Sequence, residues 1–528
     1  MFVPLSVLEF RDRAEMFFRD KIGVIDGQKQ FTYGEYARRT HRLANALRGL
    51  GLQKGDRVSF ITYNTHQLLE AYYGVIEAGA ILNPINVRLT PQDIAYILNH
   101  SGSKAVFYHK DFTPLVQNFK PSLAETQHFV VMEGDLDGPA THEYEGLLAA
   151  GSPDYYPPEF AENDVAELFY TSGTTGKPKG VALTHRNLHL HCLNSALALG
   201  ASDADVILHV VPLFHVNGWG TPHTLTLLGG THVMLRKFDP AALLGLLQKH
   251  RVTYLLGVPL IYNALINHPQ LGQYDLSSLK FLLTGGAPAS PTLIRAMQEK
   301  LGGTAMVGYG LSETTPVICL ARPRQHLNDK ESPEMKMARQ AMTGWAVPGV
   351  SLRVVDSTGR DVRPDGQQIG EIVVRSNVVM DGYYKDPEAT QAAIRDGWFY
   401  TGDMATIDED GYLLIKDRSK DIIISGGENI SSVEIETALY AHPAVFECAV
   451  VSAPDDQWGE VPVALVVLKP GSTAAADDLL AHCRDHLAGF KMPKRVELRE
   501  QLPKGGTGKI LKAELREPFW RGMEKRVH

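Results

Sequence analysis

The alternation of strand-like and helix-like segments in the first half of the chain limits most strongly which folds it can adopt. One example begins with the apolar, β-rich segment 57–63, continues with a helical stretch at 66–80 and ends in a second apolar strand at 81–85. A strand, a helix and a second strand in this order form a βαβ unit with parallel strands. The sequence therefore predicts an α/β body of mainly parallel sheets layered with helices.

The pattern changes twice toward the C-terminus. From about residue 351 to 416, short strands are separated by Gly, Pro and Asp, which is typical of a small antiparallel, barrel-like piece. Beyond residue 417 strands alternate with helices, and one helix begins near Ser431, where Glu434 completes a capping box. We therefore predict a large N-terminal domain, a hinge and a smaller mobile α+β lid, at residues 1–416, 417–421 and 422–528.

Composition excludes several classes of protein. With 528 residues, 44% hydrophobic and 21% charged, the chain is neither disordered nor fibrous. No apolar run approaches the ~20 residues of a membrane span, and the N-terminus lacks a signal-peptide core. The four cysteines are widely spaced, which favours reduced thiols in the cytoplasm over a disulfide framework or a zinc site. We expect a cytoplasmic enzyme without integral membrane association.

The net charge of −8 is unevenly distributed. Residues 491–528 contain eleven Lys or Arg and five Asp or Glu, a charge of +6, so the rest of the chain carries −14. An acidic body argues against nucleic-acid binding. The basic end is either a solvated terminal helix or a surface that attracts a phosphate-rich small molecule.

The segment YTSGTTGKPKG at residues 170–180 is the strongest local signal for chemistry. It follows an apolar strand and precedes a helical stretch. Its glycines allow close approach to a ligand, its amides and hydroxyls can surround phosphate oxygens, and Lys179 adds a positive charge. The spacing differs from that of a Walker A loop. A flexible surface loop has a similar composition, but the order of residues favours phosphate binding.

This segment closely resembles the phosphate loop of the adenylate-forming (AMP-binding) family, which includes acyl- and aryl-CoA synthetases, adenylation domains of peptide synthetases and beetle luciferases. Further segments resemble the other motifs of the family in their usual order, over nearly the whole chain. They are TGGAP at 284–288, GYGLSET at 308–314, YTGD at 400–403, DRSKD at 417–421 with SGGEN at 425–429, and PKGGTGK at 503–509.

The resemblance implies a site for ATP and AMP. Tyr309 would stack on adenine, Asp403 would accept both ribose hydroxyls, and Glu313 with Thr171 would hold Mg²⁺. Ser312 stands where the family usually has threonine, and it keeps the hydroxyl while losing the stiffening methyl. The implied nucleotide-binding residues are Thr171, Ser172, Gly173, Thr174, Thr175, Gly176, Gly286, Ala287, Gly308, Tyr309, Ser312, Asp403, Arg418, Lys420 and Lys509.

The resemblance assigns catalysis to Lys509, Glu313 and Lys179. Joining a carboxylate to the α-phosphate of ATP builds up negative charge, which a positioned ammonium stabilises. Lys509 would supply that ammonium from a glycine-rich loop, while Lys179 and the neighbouring hydroxyls would hold the departing phosphates.

Residues 212–220 occupy the acyl-pocket position of the family, and they contain no carboxylate. An amino-acid substrate usually needs an acidic partner for its ammonium group, so an apolar acid is favoured. His215, Trp219 and Gly310 are the predicted acyl-binding residues. Trp219 resembles the tryptophan gate of some fatty-acyl synthetases, but an ordinary aromatic in the pocket wall is an equal alternative.

Coenzyme A is the expected acceptor of the acyl group. Lys491 and Lys494 belong to the basic end and would attract its phosphates, while Gly426 and Gly427 would leave room for the pantetheine arm. We predict an AMP-forming acyl-CoA synthetase that works as a monomer or homodimer on a medium- or long-chain fatty acid. Three alternatives remain: an aryl-CoA ligase, an enzyme that loads a separate carrier protein, and a nucleotide-binding pseudoenzyme scaffold.

Overall fold

The structure is a computed structural model that describes residues 1–171, 177–426, 428–505 and 510–521. The helices are α1 (Leu8–Phe18), α2 (Tyr33–Gly49), α3 (His66–Glu77), α4 (Pro91–Ser101), α5 (Thr113–Phe119), α6 (Tyr144–Ala150), α7 (His185–Leu199), α8 (Val216–Leu228), α9 (Pro240–Lys249), α10 (Pro259–Ile266), α11 (Pro291–Leu301), α12 (Gln325–Asn328), α13 (Pro333–Gln340), α14 (Pro387–Ala393), α15 (Ser432–Tyr440), α16 (Ala476–His486) and α17 (Lys512–Trp520).

The strands are β1 (Ile22–Asp26), β2 (Lys29–Thr32), β3 (Arg57–Ile61), β4 (Ile81–Pro84), β5 (Ser103–His109), β6 (His128–Met132), β7 (His142–Glu143), β8 (Val165–Thr171), β9 (Lys179–Thr184), β10 (Val206–His209), β11 (Thr231–Met234), β12 (Tyr254–Gly257), β13 (Phe281–Gly285), β14 (Thr304–Gly310), β15 (Val317–Leu320), β16 (Trp345–Ala346), β17 (Val350–Val355), β18 (Gly370–Ser376), β19 (Gly382–Tyr383), β20 (Ile394–Arg395), β21 (Trp398–Ile407), β22 (Leu413–Arg418), β23 (Ile423–Ser425), β24 (Glu428–Ile430), β25 (Val445–Asp455), β26 (Gly459–Leu468) and β27 (Arg495–Leu498).

Two large sheets of mainly parallel strands form the N-terminal body. The eight-stranded sheet has the order β19-β9-β8-β4-β3-β5-β6-β7, and the nine-stranded sheet has the order β16-β15-β14-β13-β12-β10-β11-β1-β2. The predicted βαβ unit is present, since β3 pairs in parallel with β4 and α3 connects them. Apolar side chains line both faces of β5, since Ala105 and Phe107 belong to one buried cluster and Val106 and Tyr108 to another. This is typical of parallel sheets with helices on both faces.

Two smaller sheets account for the remaining strands that the structure describes. β17, β18, β21 and β20 form an antiparallel sheet that β22 extends, as the change of pattern after residue 351 predicts. The last sheet contains β23 to β27 and has its own apolar core beneath α15 and α16. Ser431 caps α15 by accepting a 3.1 Å hydrogen bond from the amide of Glu434.

The predicted fold class is confirmed. The exact domain boundary and the hinge at 417–421 stay predictions. Among the described helices, none is long and apolar enough for a membrane crossing.

Candidate active site

The glycine-rich segment connects β8 to its antiparallel neighbour β9. β8 ends at Thr171 and β9 begins at Lys179, and these two residues are partners in the antiparallel ladder. The hairpin therefore brings two predicted site residues together at the mouth of the loop. The predicted phosphate-binding residues between them, Ser172, Gly173, Thr174, Thr175 and Gly176, lie outside the described residues.

The carboxyl ends of β13 and β14 form a second part of the candidate site. These strands pair in parallel, and Gly285 lies opposite Gly308. Gly286 follows with a φ of 76°, a left-handed conformation that favours glycine, and Gly286 and Ala287 are exposed in the turn. Ligands of open α/β sheets bind outside the carboxyl ends of the strands, so this turn is well placed for the predicted adenine contact.

Three of the predicted nucleotide residues form one hydrogen-bonded group. The hydroxyl of Tyr309 donates to Oδ2 of Asp403 at 2.7 Å, and Nε of Arg418 donates to Oδ1 at 2.7 Å. Asp403 is buried, whereas the Arg418 side chain is 44% exposed. Burial and the adjacent Asp403 carboxylate raise the pKa of the Tyr309 phenol. The aromatic ring and the carboxylate are therefore held in a fixed position relative to each other.

Glu313 belongs to a second group that connects the two large sheets. It lies in the short 3-10 helix Ser312–Thr314 after β14, and its Oε1 accepts a 2.9 Å hydrogen bond from the hydroxyl of Tyr383. The ammonium of Lys179 lies 5.0 Å from the centre of the Tyr383 ring, in a cation–π arrangement. Burial, together with Glu313, raises the pKa of Tyr383. Sequence reasoning missed Tyr383 because an isolated tyrosine carries no motif.

The ligands predicted for magnesium suit that ion chemically. Mg²⁺ prefers oxygen ligands and commonly binds one or two protein groups together with substrate phosphates. Glu313 offers a carboxylate, and Thr171 offers a hydroxyl at the mouth of the phosphate loop. Ser312 is buried beside Glu313. A bound Mg²⁺ would neutralise phosphate charge at this point.

The predicted acyl-binding segment is anchored by Asn64, which follows β3, and by Tyr72 of α3. The side-chain amide of Asn64 donates to the carbonyl oxygens of His209 and Val211 at 2.8 and 3.0 Å, and its oxygen accepts from the amide of Leu213 at 2.8 Å. The hydroxyl of Tyr72 donates to the carbonyl oxygen of Leu213 at 2.5 Å. These buried bonds fix the path of the chain from β10 into α8.

Trp219 lies in a turn at the start of α8 and packs against the apolar cores of both large sheets. A Cβ on Gly285 would lie 3.4 Å from Cη2 of Trp219, so the indole ring lies against the end of β13. His215 precedes the turn and is half-buried. The Trp219 side chain thus lies where the predicted acyl segment meets the end of β13, directly before the predicted adenine turn.

Gly310 is required by a close backbone approach. A Cβ at this position would lie 1.6 Å from the carbonyl oxygen of Pro316, which no side chain can tolerate. The glycine lets β14 pass directly beside the segment that leads into β15. The position of Gly310 is therefore explained by packing, and its contact with an acyl chain stays a prediction.

A buried polar group near the acyl segment was not foreseen. Glu167 in β8 is fully buried, and its two carboxylate oxygens contact Asn217 and His223 of α8 at 3.0 and 2.6 Å. A charged residue within the apolar strand β8 was the available signal, because a buried carboxylate needs specific partners. Its partners lie 50 and 56 positions away, so the sequence did not identify them.

The residues predicted to bind CoA differ in their contacts and in their exposure. Lys491 forms an ion pair with Glu434, with Nζ–O distances of 2.7 and 2.8 Å, whereas Lys494 is exposed. Gly426 has a φ of 58°, and its amide donates to the carbonyl oxygen of Trp458 at 2.8 Å. Gly427 lies outside the described residues. The ion pair offsets part of the basic charge that would attract CoA phosphates, so this role stays a prediction for both lysines.

The predicted hinge contacts α17, the helix that follows the lysine loop. Lys420 is exposed, and its carbonyl oxygen accepts a 2.9 Å bond from Arg516. Lys504 pairs with Ile510 in an isolated bridge, which closes the base of the loop. Lys509 itself lies outside the described residues. Beyond the loop, the ammonium of Lys512 contacts Glu436 at 2.7 Å.

The fold and this arrangement define a nucleotide-binding α/β enzyme with a smaller C-terminal sheet domain. Residues 10–384 match the family model of the AMP-binding enzyme, and residues 434–509 match that of the AMP-binding enzyme C-terminal domain. The chain therefore belongs to the AMP-binding enzyme family, as its motifs predict.

Relatives of known activity agree with this assignment. The chain is 40% identical to a long-chain-fatty-acid–CoA ligase of Thermus thermophilus, over 98% of this chain and 96% of the relative. It is 38% identical to a 2-methylpropanoate–CoA ligase of Humulus lupulus, with the same coverage. The crystal structure of the anthranilate CoA ligase AuaEII in complex with anthranoyl-AMP superposes with a TM-score of 0.89 at 26% identity, covering 98% of both chains. The predicted enzyme class, an AMP-forming acid–CoA ligase, is confirmed.

Proposed function

We propose that this enzyme activates an apolar carboxylic acid, with a medium- or long-chain fatty acid as the favoured substrate. The acid would react with ATP to form acyl-AMP and pyrophosphate, and the acyl group would then pass to CoA. Family members use ATP and CoA, so the finer proposal concerns which acid is activated and which residues of this chain act.

The lack of an available carboxylate in the acyl segment is the main support for an apolar acid as the substrate. Residues 212–220 contain no carboxylate. The carboxylate of Glu167 contacts this segment, but it is fully buried and both of its oxygens are occupied by Asn217 and His223. It therefore cannot serve as a partner for a substrate ammonium group. Trp219 adds an aromatic surface where the segment faces β13.

The nucleotide would use the two groups of side chains described above. The Tyr309 ring would stack on adenine while Asp403 and Arg418 bind the ribose. Glu313 and Thr171 would hold Mg²⁺, which would neutralise phosphate charge. Lys179 would contact the departing phosphates, because β9 places it beside the loop mouth.

Lys509 would deliver its ammonium to the developing charge during formation of the adenylate. Loss of such a positioned donor typically slows a reaction by about 10²–10³-fold. After adenylate formation, a rotation at 417–421 would bring Gly426 and Gly427 to the site for thioester formation.

An aryl acid is the second candidate. The similarity to AuaEII supports it, since that enzyme holds anthranoyl-AMP, while the similarity to the Thermus enzyme supports a fatty acid. A cytoplasmic location and a monomeric or dimeric state are also part of the proposal, although some relatives are named as peroxisomal.

The deciding experiment measures pyrophosphate release over a panel of fatty, aryl and amino acids, with and without CoA. We expect the highest kcat/KM with apolar fatty acids and CoA-dependent thioester formation. A preference for aryl acids would select the second candidate. Adenylate formation without use of CoA would indicate carrier-protein loading, and no release with any acid would indicate a scaffold.

A further inference from the structure

The strand that leads into the phosphate loop contains one buried charge, and its partners belong to the acyl segment. The side-chain amide of Asn217 donates to Oε2 of Glu167 at 3.0 Å, and Nε2 of His223 donates to Oε1 at 2.6 Å. Glu167 and His223 are completely inaccessible to solvent, and Asn217 is 1% exposed. Burial of a carboxylate is unfavourable unless hydrogen bonds replace its hydration. An apolar residue at this position in β8 would avoid the cost of burying a charge. The presence of a carboxylate here therefore suggests that its hydrogen bonds have a specific role.

The acyl segment has an unfavourable backbone conformation, which the hydrogen bonds of Glu167 can stabilise. The φ angles at Val216, Asn217, Gly218, Trp219 and Gly220 are all positive, between 32° and 84°. Three of these residues are not glycine, and L-amino acids disfavour the left-handed region. Such a turn persists only where its surroundings hold it. The bond from Asn217 to Glu167 connects the turn to the rigid strand β8.

Neighbouring groups make Glu167 a firm anchor for the turn. The ring of His223 lies between Tyr72 and Tyr73, with centroid distances of 5.4 and 5.1 Å in edge-on geometry. The imidazole therefore holds one oxygen of the carboxylate in place while the other oxygen receives Asn217. The turn is closed on its other side by the hydroxyl of Thr221, which donates to the carbonyl oxygen of Gly218 at 3.0 Å.

We infer that Glu167 is a positioning residue that sets acid selectivity by holding the left-handed turn that presents Trp219. This inference rests on the proposed function, in which residues 212–220 line the acyl pocket. Glu167 is itself fully buried and would act through its bond to Asn217. Because Trp219 lies against Gly285 at the end of β13, a shift of the turn would change the space available to the acid.

The main experiment compares Glu167→Met with Glu167→Gln. Methionine keeps the length of the side chain and removes both acceptors, whereas glutamine keeps an oxygen that can accept from Asn217. We expect Glu167→Met to change the ratio of kcat/KM between long and short acids by about 10-fold or more, a typical effect of altered pocket contacts. The KM for ATP should change by less than about 2-fold, and Glu167→Gln should restore most of the wild-type profile.

Asn217 provides a second route if Glu167→Met does not fold. Asn217→Gly removes the same hydrogen bond but eases the left-handed backbone, so it should fold and still alter the acid profile. Where Glu167→Met does fold, the double variant Glu167→Met with Asn217→Gly should change the profile no more than the larger of the two single variants, because both substitutions remove the same contact.

Glu70→Gln is the matched control. Glu70 is also a fully buried carboxylate, and it is bonded to Arg39 and Tyr144 instead of the acyl segment. Its substitution should lower the melting temperature and leave the acid profile unchanged. A similar change of profile in this control would show that loss of stability alone causes it, and would overturn the inference.

Trp219→Ala separates failure of this inference from failure of the proposed function. Trp219→Ala could alter the acid profile while the folded Glu167→Met or Asn217→Gly variants do not. In that case the proposed acyl pocket is retained and the role of Glu167 is rejected. If none of these variants alters the profile, residues 212–220 do not select the acid and both proposals fail.

Discussion

The hydroxyl of Tyr309 donates a 2.7 Å hydrogen bond to the carboxylate of Asp403, 94 positions further along the chain. The bond joins the end of β14 in a parallel sheet to β21 in an antiparallel sheet. Arg418 holds the second oxygen of the same carboxylate. The groups proposed to bind adenine and ribose are therefore oriented by one another.

Loss of the Tyr309 hydroxyl should weaken nucleotide binding without removing the stacking surface. A hydrogen bond to a charged group contributes about 1.5–3 kcal/mol, so Tyr309→Phe should raise the KM for ATP by about 10-fold. Asp403→Ala should lower kcat/KM for ATP about 10-fold more than Tyr309→Phe does, because the proposed contacts of Asp403 with both ribose hydroxyls are lost. Pyrophosphate release at varied ATP concentration measures both effects. An unchanged KM in Tyr309→Phe would mean that the bond does not orient the ring for ATP.

Removal of the Trp219 indole should change the preference among acids more than the affinity for ATP. One pocket contact gives only about 1–3 kcal/mol of discrimination, so preference should shift and activity should remain. The measurement is kcat/KM over acids of increasing length, with the KM for ATP as the internal control. A uniform loss for all acids would place Trp219 outside the pocket.

Lys509→Ala and Gly427→Leu should affect opposite half-reactions. Lys509→Ala should slow ATP-dependent pyrophosphate release by about 10²–10³-fold and still convert supplied acyl-adenylate and CoA to thioester. Gly427→Leu should form adenylate normally and slow the thioester step, because a bulky side chain would obstruct the thiol. Pre-steady-state assays of each half-reaction distinguish the two. Loss of the same step in both variants would contradict an alternating lid.

The ion pair between Glu133 and Arg236 should make stability depend on pH. Arg236, which follows β11, contacts both carboxylate oxygens of Glu133, which follows β6, at 2.7 and 2.6 Å, so the pair joins the two large sheets. Arg236 also reaches Asp26 of β1. Hydrogen bonding to Arg236 holds the pKa of Glu133 well below its usual value of 4.5. The stabilisation is therefore complete above about pH 4.5 and is lost as the pH falls toward the lowered pKa.

Glu133→Gln should reduce the free energy of unfolding by about 1 kcal/mol at neutral pH, since the pair is partly exposed. The difference from wild type should shrink as the pH is lowered below about 4.5. Urea titrations across this range measure it, with Arg236→Met and the double variant completing a cycle. A difference that is independent of pH would show that the Glu133 charge is not involved.

The sequence by itself determined the class of fold and the change from a mainly parallel body to smaller C-terminal sheets, and the resemblance of its motifs to a known family suggested the proposed nucleotide residues. This was possible because periodicity and short motifs are local: the spacing of residues 57–85 already predicts a βαβ unit, and the composition of residues 170–180 already indicates a phosphate-binding loop after an apolar strand. That the chain returns from this loop as the antiparallel strand β9 was shown only by the structure. The start of α15 at Ser431 was equally accessible, since a helix cap depends on four consecutive residues.

Only the tertiary structure decided which distant side chains meet. Tyr383 contacts Glu313 across 70 positions, Glu167 meets Asn217 across 50, and Glu434 pairs with Lys491 across 57. Such contacts depend on how sheets and helices pack, and no local pattern specifies a partner at that separation. The left-handed turn at Trp219 has the same origin, because its backbone is unfavourable in isolation and is held by groups from a different strand.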